Sequence, residues 1–191
     1  MEKIENIDFN ELRDRVYKNS CKHGWHLKEH VKPHYIMLII TELSEAVNAD
    51  RKGKYAQRLM FEKNIDTPQI DPDGHWKFCF ESFIKDTVED ELADAVIRIL
   101  DFISVYKNEA CDFTKVDMKY ILSASQHNVD KYDLPELIYT VVVAFDRGKS
   151  IRLILNCIFS IAKRYNIDLL WHIEQKMKYN EMRPYKHGKK Y

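Results

Sequence analysis

Apolar residues recur at helical spacing in several separate segments of the chain. Phe9, Leu12 and Val16 share one side of a helix predicted over 9–21, where Asp8 and Glu11 form a capping-box pattern. A second helix is predicted to open at Pro33 and to run to about Asp50. Its apolar stripe consists of Ile36, Ile39, Ile40, Leu43, Ala46 and Val47. This spacing indicates amphipathic helices that pack on a common core.

The same spacing returns after residue 85. A third long helix is predicted to begin at Asp86 or Thr87, with a core stripe of Val88, Leu92, Ala95, Ile99, Phe102 and Ile103. A short helix over 115–125 and three further helices over 134–147, 151–165 and 168–178 complete the pattern. The chain is therefore expected to be all-α.

Residues 51–85 interrupt the helical pattern. They combine Pro68, Pro72 and Gly74 with four aromatic residues, Trp76, Phe78, Phe80 and Phe83, which indicates a structured excursion that we call the flap. Alternating aromatic residues in a loop usually attach that loop to the core, and stacking on a nucleobase is the less favoured alternative.

Composition limits the class of protein. The chain has 191 residues, of which 45% are hydrophobic and 31% charged, and only five glycines and five prolines, so one all-α globular domain over 1–191 is expected. Lys plus Arg and Asp plus Glu both number 30, so the chain has no net positive charge that would attract nucleic acid or an anionic membrane. Because neither a signal peptide nor a membrane span is visible, we expect a cytoplasmic protein with reduced cysteines.

Two short acidic motifs carry the candidate chemistry. Glu42 and Glu45 lie three residues apart in the second helix, and Glu91 and Asp94 do so in the third. Side chains at this spacing project from nearly the same face, so two facing helices would gather four carboxylates. Unpaired buried carboxylates are costly, and a hard cation such as Mg²⁺ removes that cost. The motifs therefore predict a metal site, although acids at the polar margin of an ordinary amphipathic helix are the plain alternative.

A helical wheel of the third helix shows which charged residues lie on the same side as Glu91 and Asp94. Arg98 and Asp101 fall on the same margin as Glu91 and Asp94, whereas Glu89 points away. We expect Arg98 and Asp101 to support and orient the metal ligands.

The C-terminal end of the chain is strongly basic. Residues 133–191 hold the last helices and a basic tail. In that tail, residues 176–191, seven basic residues accompany the single acid Glu181: Lys176, Lys178, Arg183, Lys186, His187, Lys189 and Lys190. Such a tail could neutralise phosphates over a metal site, since Arg offers bidentate contacts and Lys a point charge. By contrast, His23, His26, His30 and His34 are not expected to bind zinc, because Gly24 and Pro33 interrupt any helix through them.

Three sequence blocks resemble one family. ITELSEAVNADRKGK is similar to the E-x-x-E helix, EDELADAVIRILD to the E-x-x-D helix and YNEMRPYKHGKKY to the C-terminal signature of MazG-like, all-α nucleoside triphosphate pyrophosphohydrolases. Thr41 stands where the family commonly has a further glutamate, and residues 46–90 exceed its usual gap between the motifs. The resemblance implies a MazG-like helical bundle, with the flap inserted between the two metal-ligand helices and additional C-terminal helices.

The resemblance also implies a Mg²⁺-dependent hydrolase, with Mn²⁺ as an alternative ion, that converts a nucleoside triphosphate to the monophosphate and pyrophosphate. The substrate could be a standard, a deoxy or a non-standard nucleotide, and a homo-oligomeric assembly is expected. Glu42, Glu45, Glu91 and Asp94 would be the metal ligands, and Glu42 or Glu45 would activate water. The expected substrate contacts are Lys178, Asn180, Arg183, Lys186, His187 and Lys189. Two alternatives stay open, a non-catalytic helical interaction protein and a nucleic-acid binder that uses the basic tail.

Overall fold

The computed structural model describes residues 8–68, 70–106, 112–123 and 131–188, with side chains as far as Lys186. Within these ranges the chain forms nine α-helices and no strand, so the all-α prediction is confirmed. The helices are α1 Phe9–Lys22, α2 Lys32–Arg51, α3 Arg58–Ile65, α4 Pro72–Phe83, α5 Val88–Val105, α6 Lys115–Leu122, α7 Leu134–Asp146, α8 Ile151–Arg164 and α9 Leu169–Glu181. A 3₁₀ turn follows at Tyr185–Gly188.

Helix α5 lies at the centre of the bundle. It begins at Thr87, whose side chain accepts a hydrogen bond from the Asp90 N–H, and it packs against α1, α2, α8 and α9. Leu92, Val96 and Ile99 are fully buried there, and each such side chain stabilises the fold by about 1.5–3 kcal/mol. Helix α7 packs on α2 and α8, and α6 on α8. The candidate acids on α5 therefore stand on the most deeply buried helix.

The flap is helical rather than an irregular loop. It contains α3 and α4, which pack against each other, and α4 packs on α9. A small second core joins it to α9 and consists of Phe61, Trp76, Cys79, Phe80 and Ile84 from the flap and Tyr179 from α9. Trp76 and Phe80 are one turn apart on the buried face of α4, whereas Phe78 is 64% exposed. The aromatic residues were predicted on a loop, which is wrong, but Trp76 and Phe80 attach the flap as expected and are too buried to stack on a base.

Most helix ends agree with the sequence prediction. Helix α9 continues three residues beyond Lys178, and Asp8 caps α1 by accepting from the Asn10 N–H rather than through a box with Glu11. For the predicted helix over 115–125, the structure describes residues only as far as 123. None of the helices in the described ranges has the length and apolar character needed to cross a bilayer.

Candidate metal and phosphate site

Three of the four predicted metal ligands come together between α2 and α5. Glu42 from α2 and Glu91 and Asp94 from α5 each place one carboxylate oxygen within 4.8 Å of the others. We call these three residues the acid cluster. Glu42 is 5% exposed and Glu91 4% exposed, so two of the three carboxylates are held largely out of water. The amphipathic spacing of both helices produces this arrangement, because their apolar stripes face each other across the core.

Glu45, the fourth predicted ligand, lies one turn along α2 and is exposed. It does not belong to the acid cluster. Its charge nevertheless contributes to raising the pKa of Glu42, after burial and Asp94, so it stands close enough for its charge to act there. The structure therefore places Glu45 at the solvent side of the acids.

The two predicted supporting residues behave differently. Arg98 Nε donates to Glu42 Oε1 over 2.9 Å, which fixes the orientation of that carboxylate. Asp101 does not reach the acid cluster, and it instead pairs with His26 Nε2 over 2.9 Å. Arg98 thus contacts one of the predicted ligands, whereas Asp101 supports the segment between α1 and α2.

Lys176, which was predicted in the basic tail that could neutralise phosphates, is instead a buried lysine beside the acid cluster. Lys176 on α9 is 4% exposed, and its Nζ donates to Asp90 Oδ2 over 2.6 Å and lies 2.9 Å from Asp94 Oδ2. Burial lowers the pKa of Lys176, but attraction to Asp90 and Asp94 outweighs burial and raises it. Lys176 is therefore an internal cation of the site. Its helical spacing from the buried Ile173 and Asn180 was a signal that could have found it.

Burial controls the ionisation of the acid cluster. It raises the pKa of Glu91 to about 9, with Lys176 acting in the opposite direction, and it raises the pKa of Glu42 together with the charge of Asp94. For Asp94, burial is more than offset by Lys176 and Arg98, and the pKa is lowered. Without a further cation, the site thus holds Asp94 ionised and Glu91 protonated near neutral pH.

A second acidic group lies beside the first. Asp86, Asp90 and Glu91 also place oxygens within 4.8 Å of one another. Lys176 binds Asp90, and Lys85 binds Asp86 over 2.6 Å, so protein cations already compensate this group. Protein cations also reach the acid cluster, since Lys176 lies 2.9 Å from Asp94 and Arg98 pairs with Glu42. The acid cluster is the better candidate for a metal ion because its Asp94 lines a cavity.

Two adjoining cavities open next to the acid cluster. The smaller, of about 50 Å³, is lined by Asp94, Arg98, Asn180 and Arg183 among others. The larger, of about 190 Å³, is lined among others by Tyr35, His26, His30, His34 and Lys186. Trp25, Arg98 and Asp101 line both cavities, so the two spaces adjoin there.

The predicted substrate contacts divide into three groups. Asn180, Arg183 and Lys186 line the cavities, and the Oδ1 atom of Asn180 is buried without a hydrogen-bond partner. Lys178 instead is exposed and places its Nζ 4.4 Å from the centre of the Trp76 ring on the flap. The side chain of His187 and the whole of Lys189 lie outside the described residues.

The histidines of the α1–α2 segment form no metal site in the part of the chain that the structure describes. His26, His30 and His34 line the larger cavity, where the His30 and His34 rings stack at a centroid distance of 3.9 Å.

Comparison of the chain with protein family models, with curated proteins and with solved structures gave no match.

Proposed function

We propose that this protein is a Mg²⁺-dependent hydrolase that converts a nucleoside triphosphate to the monophosphate and pyrophosphate. The proposal rests on one observation, the position of the acid cluster at the edge of a cavity lined by Asn180, Arg98 and Arg183. A triphosphate bound for hydrolysis needs a divalent cation on one side and hydrogen-bond donors on the other. The acidic motifs and the basic C-terminal end supply both classes of group.

The residues of the acid cluster fit Mg²⁺ by their chemistry. All three offer carboxylate oxygens, the hard ligands that Mg²⁺ prefers, and Glu45 is one turn from Glu42 and could complete the set. Bound Mg²⁺ would offset the charge of phosphate oxygens during hydrolysis. Arg98 already holds Glu42 in place as a ligand. Burial keeps Glu91 protonated, so Glu91 would become a ligand only after it releases its proton.

Side chains of this chain would position the substrate and water. A water molecule attacks the α-phosphorus of the triphosphate, the bond between that phosphorus and the α–β bridging oxygen breaks, and pyrophosphate leaves with the bridging oxygen. Glu45, exposed at the solvent side of the acids, would accept the proton of that water. Arg183 and the amide of Asn180 would contact the phosphate oxygens from α9 and the residues that follow it.

The larger cavity is the better place for the base. At about 190 Å³ it is smaller than the roughly 300–1,000 Å³ of pockets that enclose drug-sized ligands, and it therefore suits one planar ring system. Trp25 and Tyr35 provide aromatic walls there. Because this cavity meets the smaller one at Arg98, a base in it would place the phosphates towards Asp94.

The test is a panel of ribo- and deoxynucleoside triphosphates with Mg²⁺, in which monophosphate plus pyrophosphate is resolved from diphosphate plus phosphate. We expect pyrophosphate from at least one nucleotide, and loss of this activity in Glu91→Gln with an unchanged helical circular dichroism spectrum. Glu11→Gln, at an exposed position on α1, is the matched control and should retain activity. Hydrolysis of no nucleotide, together with no Mg²⁺ binding by calorimetry, would reject the proposal and favour the helical interaction protein.

A further inference from the structure

Two groups of carboxylates meet at Glu91. In the acid cluster it stands with Glu42 and Asp94, and in the second acidic group it stands with Asp86 and Asp90. Sites that hold two metal ions about 3.5–4 Å apart need two such sets of oxygen ligands side by side. The carboxylates on α2 and at the start of α5 therefore define two adjoining cation positions.

A cation of the protein already lies at the second position. The Nζ atom of Lys176 is 2.6 Å from Asp90 Oδ2 and 2.9 Å from Asp94 Oδ2, so it bridges one acid of each group. Lys176 is 4% exposed and Asp90 fully buried, and water therefore contributes little to their compensation. Oxygen ligands lie about 2.0–2.6 Å from Mg²⁺ or Ca²⁺, so the two carboxylate oxygens would need to move by less than about 1 Å to hold a divalent ion in the same place.

The two oxygens of Asp90 are satisfied unequally. Oδ2 accepts a hydrogen bond from the Asp86 N–H over 2.9 Å in addition to the bond from Lys176. Oδ1 is buried and has no hydrogen-bond partner among the described residues. A buried carboxylate oxygen without a donor is costly, so Asp90 depends on Lys176 for its compensation. It also keeps one oxygen open to a further cation.

The other charged groups around Lys176 balance one another. Two acids of the site pair directly with basic residues, Asp86 with Lys85 over 2.6 Å and Glu42 with Arg98 over 2.9 Å. Lys54 also reaches Asp86 over 3.5 Å, but both side chains are about half exposed, so solvent screens that charge. The exposed Glu45 and, at the smaller cavity, Arg183 carry opposite charges. These groups therefore add no net charge to the acids that Lys176 faces.

The remaining charges match a single divalent ion. With Glu91 ionised as a metal ligand, the ammonium group of Lys176 faces three carboxylates, those of Asp90, Glu91 and Asp94. Two negative charges are then left uncompensated, which is the charge that one divalent ion neutralises. A second divalent ion would bring two unpaired positive charges into a largely buried site, which is strongly unfavourable.

We propose that the ammonium group of Lys176 takes the place of a second divalent ion, so that the protein binds one such ion per chain, at the acid cluster. Lys176 is thus a positioning residue. It compensates Asp90 and holds the carboxylate of Asp94, a member of the acid cluster, in one orientation. The ion at the acid cluster rests on the proposed function, whereas the position that Lys176 fills does not.

The number of bound ions is measured first on the unaltered protein, without any substrate. Mn²⁺ uses the same carboxylate ligands as Mg²⁺, and its electron paramagnetic resonance signal counts free and bound ions. We expect about one tightly bound Mn²⁺ per chain and no magnetic coupling between neighbouring ions. Two coupled Mn²⁺ ions in the unaltered protein would overturn the inference and leave the proposed function standing.

Removal of the ammonium group should open the second position. Lys176→Met should bind about two Mn²⁺ ions per chain, and Mn²⁺ should raise its Tm by more than it raises the Tm of the unaltered protein, because an ion then replaces the lost charge. The change in Tm keeps the test valid for a variant that folds poorly without metal. Lys85→Met is the matched control, since Lys85 also pairs with an acid over 2.6 Å but that acid, Asp86, is exposed. It should still bind about one ion.

The remaining outcomes separate the inference from the proposed function. A Lys176→Met protein that binds no more ions than the unaltered protein, and that Mn²⁺ stabilises no more, would overturn the inference. Failure of the unaltered protein to bind any Mn²⁺ would count against the proposed function. Binding of an ion by Lys176→Met in that case would still support the assignment of this position to the lysine.

Discussion

Mg²⁺ binding to the acid cluster should release protons, and Glu91 gives the expected magnitude. Burial raises its pKa to about 9, so near pH 7 only about 1% of Glu91 is ionised in the absence of metal. A cation that needs the ionised form must displace that proton, at a cost of about 2.7 kcal/mol at pH 7. The apparent Kd for Mg²⁺ should therefore fall about tenfold for each pH unit between pH 7 and about 8.5, and level off above pH 9.

The sign of the effect on stability follows from the same pKa. Protonated Glu91 is favoured in the folded protein, so its contribution to the free energy of unfolding is fully present below its ordinary pKa of 4.5 and is lost as pH rises towards about 9. Mg²⁺ binds the ionised form and offsets that loss. The rise in Tm on adding Mg²⁺ should thus be larger at pH 8 than at pH 6.

The assay is isothermal titration calorimetry of Mg²⁺ in two buffers, Hepes and Tris, whose ionisation enthalpies differ. The difference in observed enthalpy gives the number of protons released, which we expect to be at least one near pH 7. Glu91→Gln should lower this number and weaken binding, whereas Glu11→Gln should change neither. Binding of Mg²⁺ by the unaltered protein without proton release, at an affinity independent of pH, would refute the reasoning about the buried carboxylate.

Three further predictions concern single side chains. Glu45→Gln should abolish pyrophosphate release yet change the free energy of unfolding by no more than about 0.5 kcal/mol, because Glu45 is exposed; substantial residual turnover would remove it from the site. Lys176→Met leaves Asp90 buried without its cation, so the free energy of unfolding measured in urea should fall by about 3–5 kcal/mol at pH 7. The fall should be smaller at pH 4.5, where a proton can replace the ammonium group, and equal falls at the two pH values would contradict this. Gly24→Ala should cost about 1–2 kcal/mol through its φ of 78° alone and should displace the Tyr185 ring, seen as lost protection of neighbouring amides; an unchanged exchange pattern would exclude that contact.

Helical spacing predicted the features that depend on one helix at a time. Glu42, Glu91 and Asp94 meet because each lies at the margin of its own apolar stripe, and the pairing of Arg98 with Glu42 follows from the same margin. Asp101 shares that margin, but it is seven residues and therefore about 10 Å along α5 from Asp94, which is too far to support the same ion. A wheel shows direction around a helix and not distance along it.

Contacts outside the two acidic motifs were not predicted from the sequence. Lys176 meets Asp90 across 86 positions of the chain, and a lysine within a helix is ordinarily expected at the surface. The flap helices were missed because α3 is short and prolines separate it from α4, so no apolar stripe extends through them. The resemblance to MazG-like enzymes, the use of Mg²⁺ and the hydrolytic activity stay predictions that the experiments above address.

The position of α9 has a mechanical consequence. Lys176 presents its ammonium group to the carboxylates. Tyr179, one turn further along the helix, stacks on Phe80 of α4 with ring centroids 4.6 Å apart and donates to Glu81 over 2.7 Å. Lys176 and Tyr179 lie only about 4.5 Å apart along the helix axis, and a single rigid turn therefore joins the flap helices to the ion-pair network. A molecule that pushes the flap aside must either break the Phe80–Tyr179 stack or shift the ammonium group away from its acids, so contacts at the flap can change the charge balance of the acid cluster.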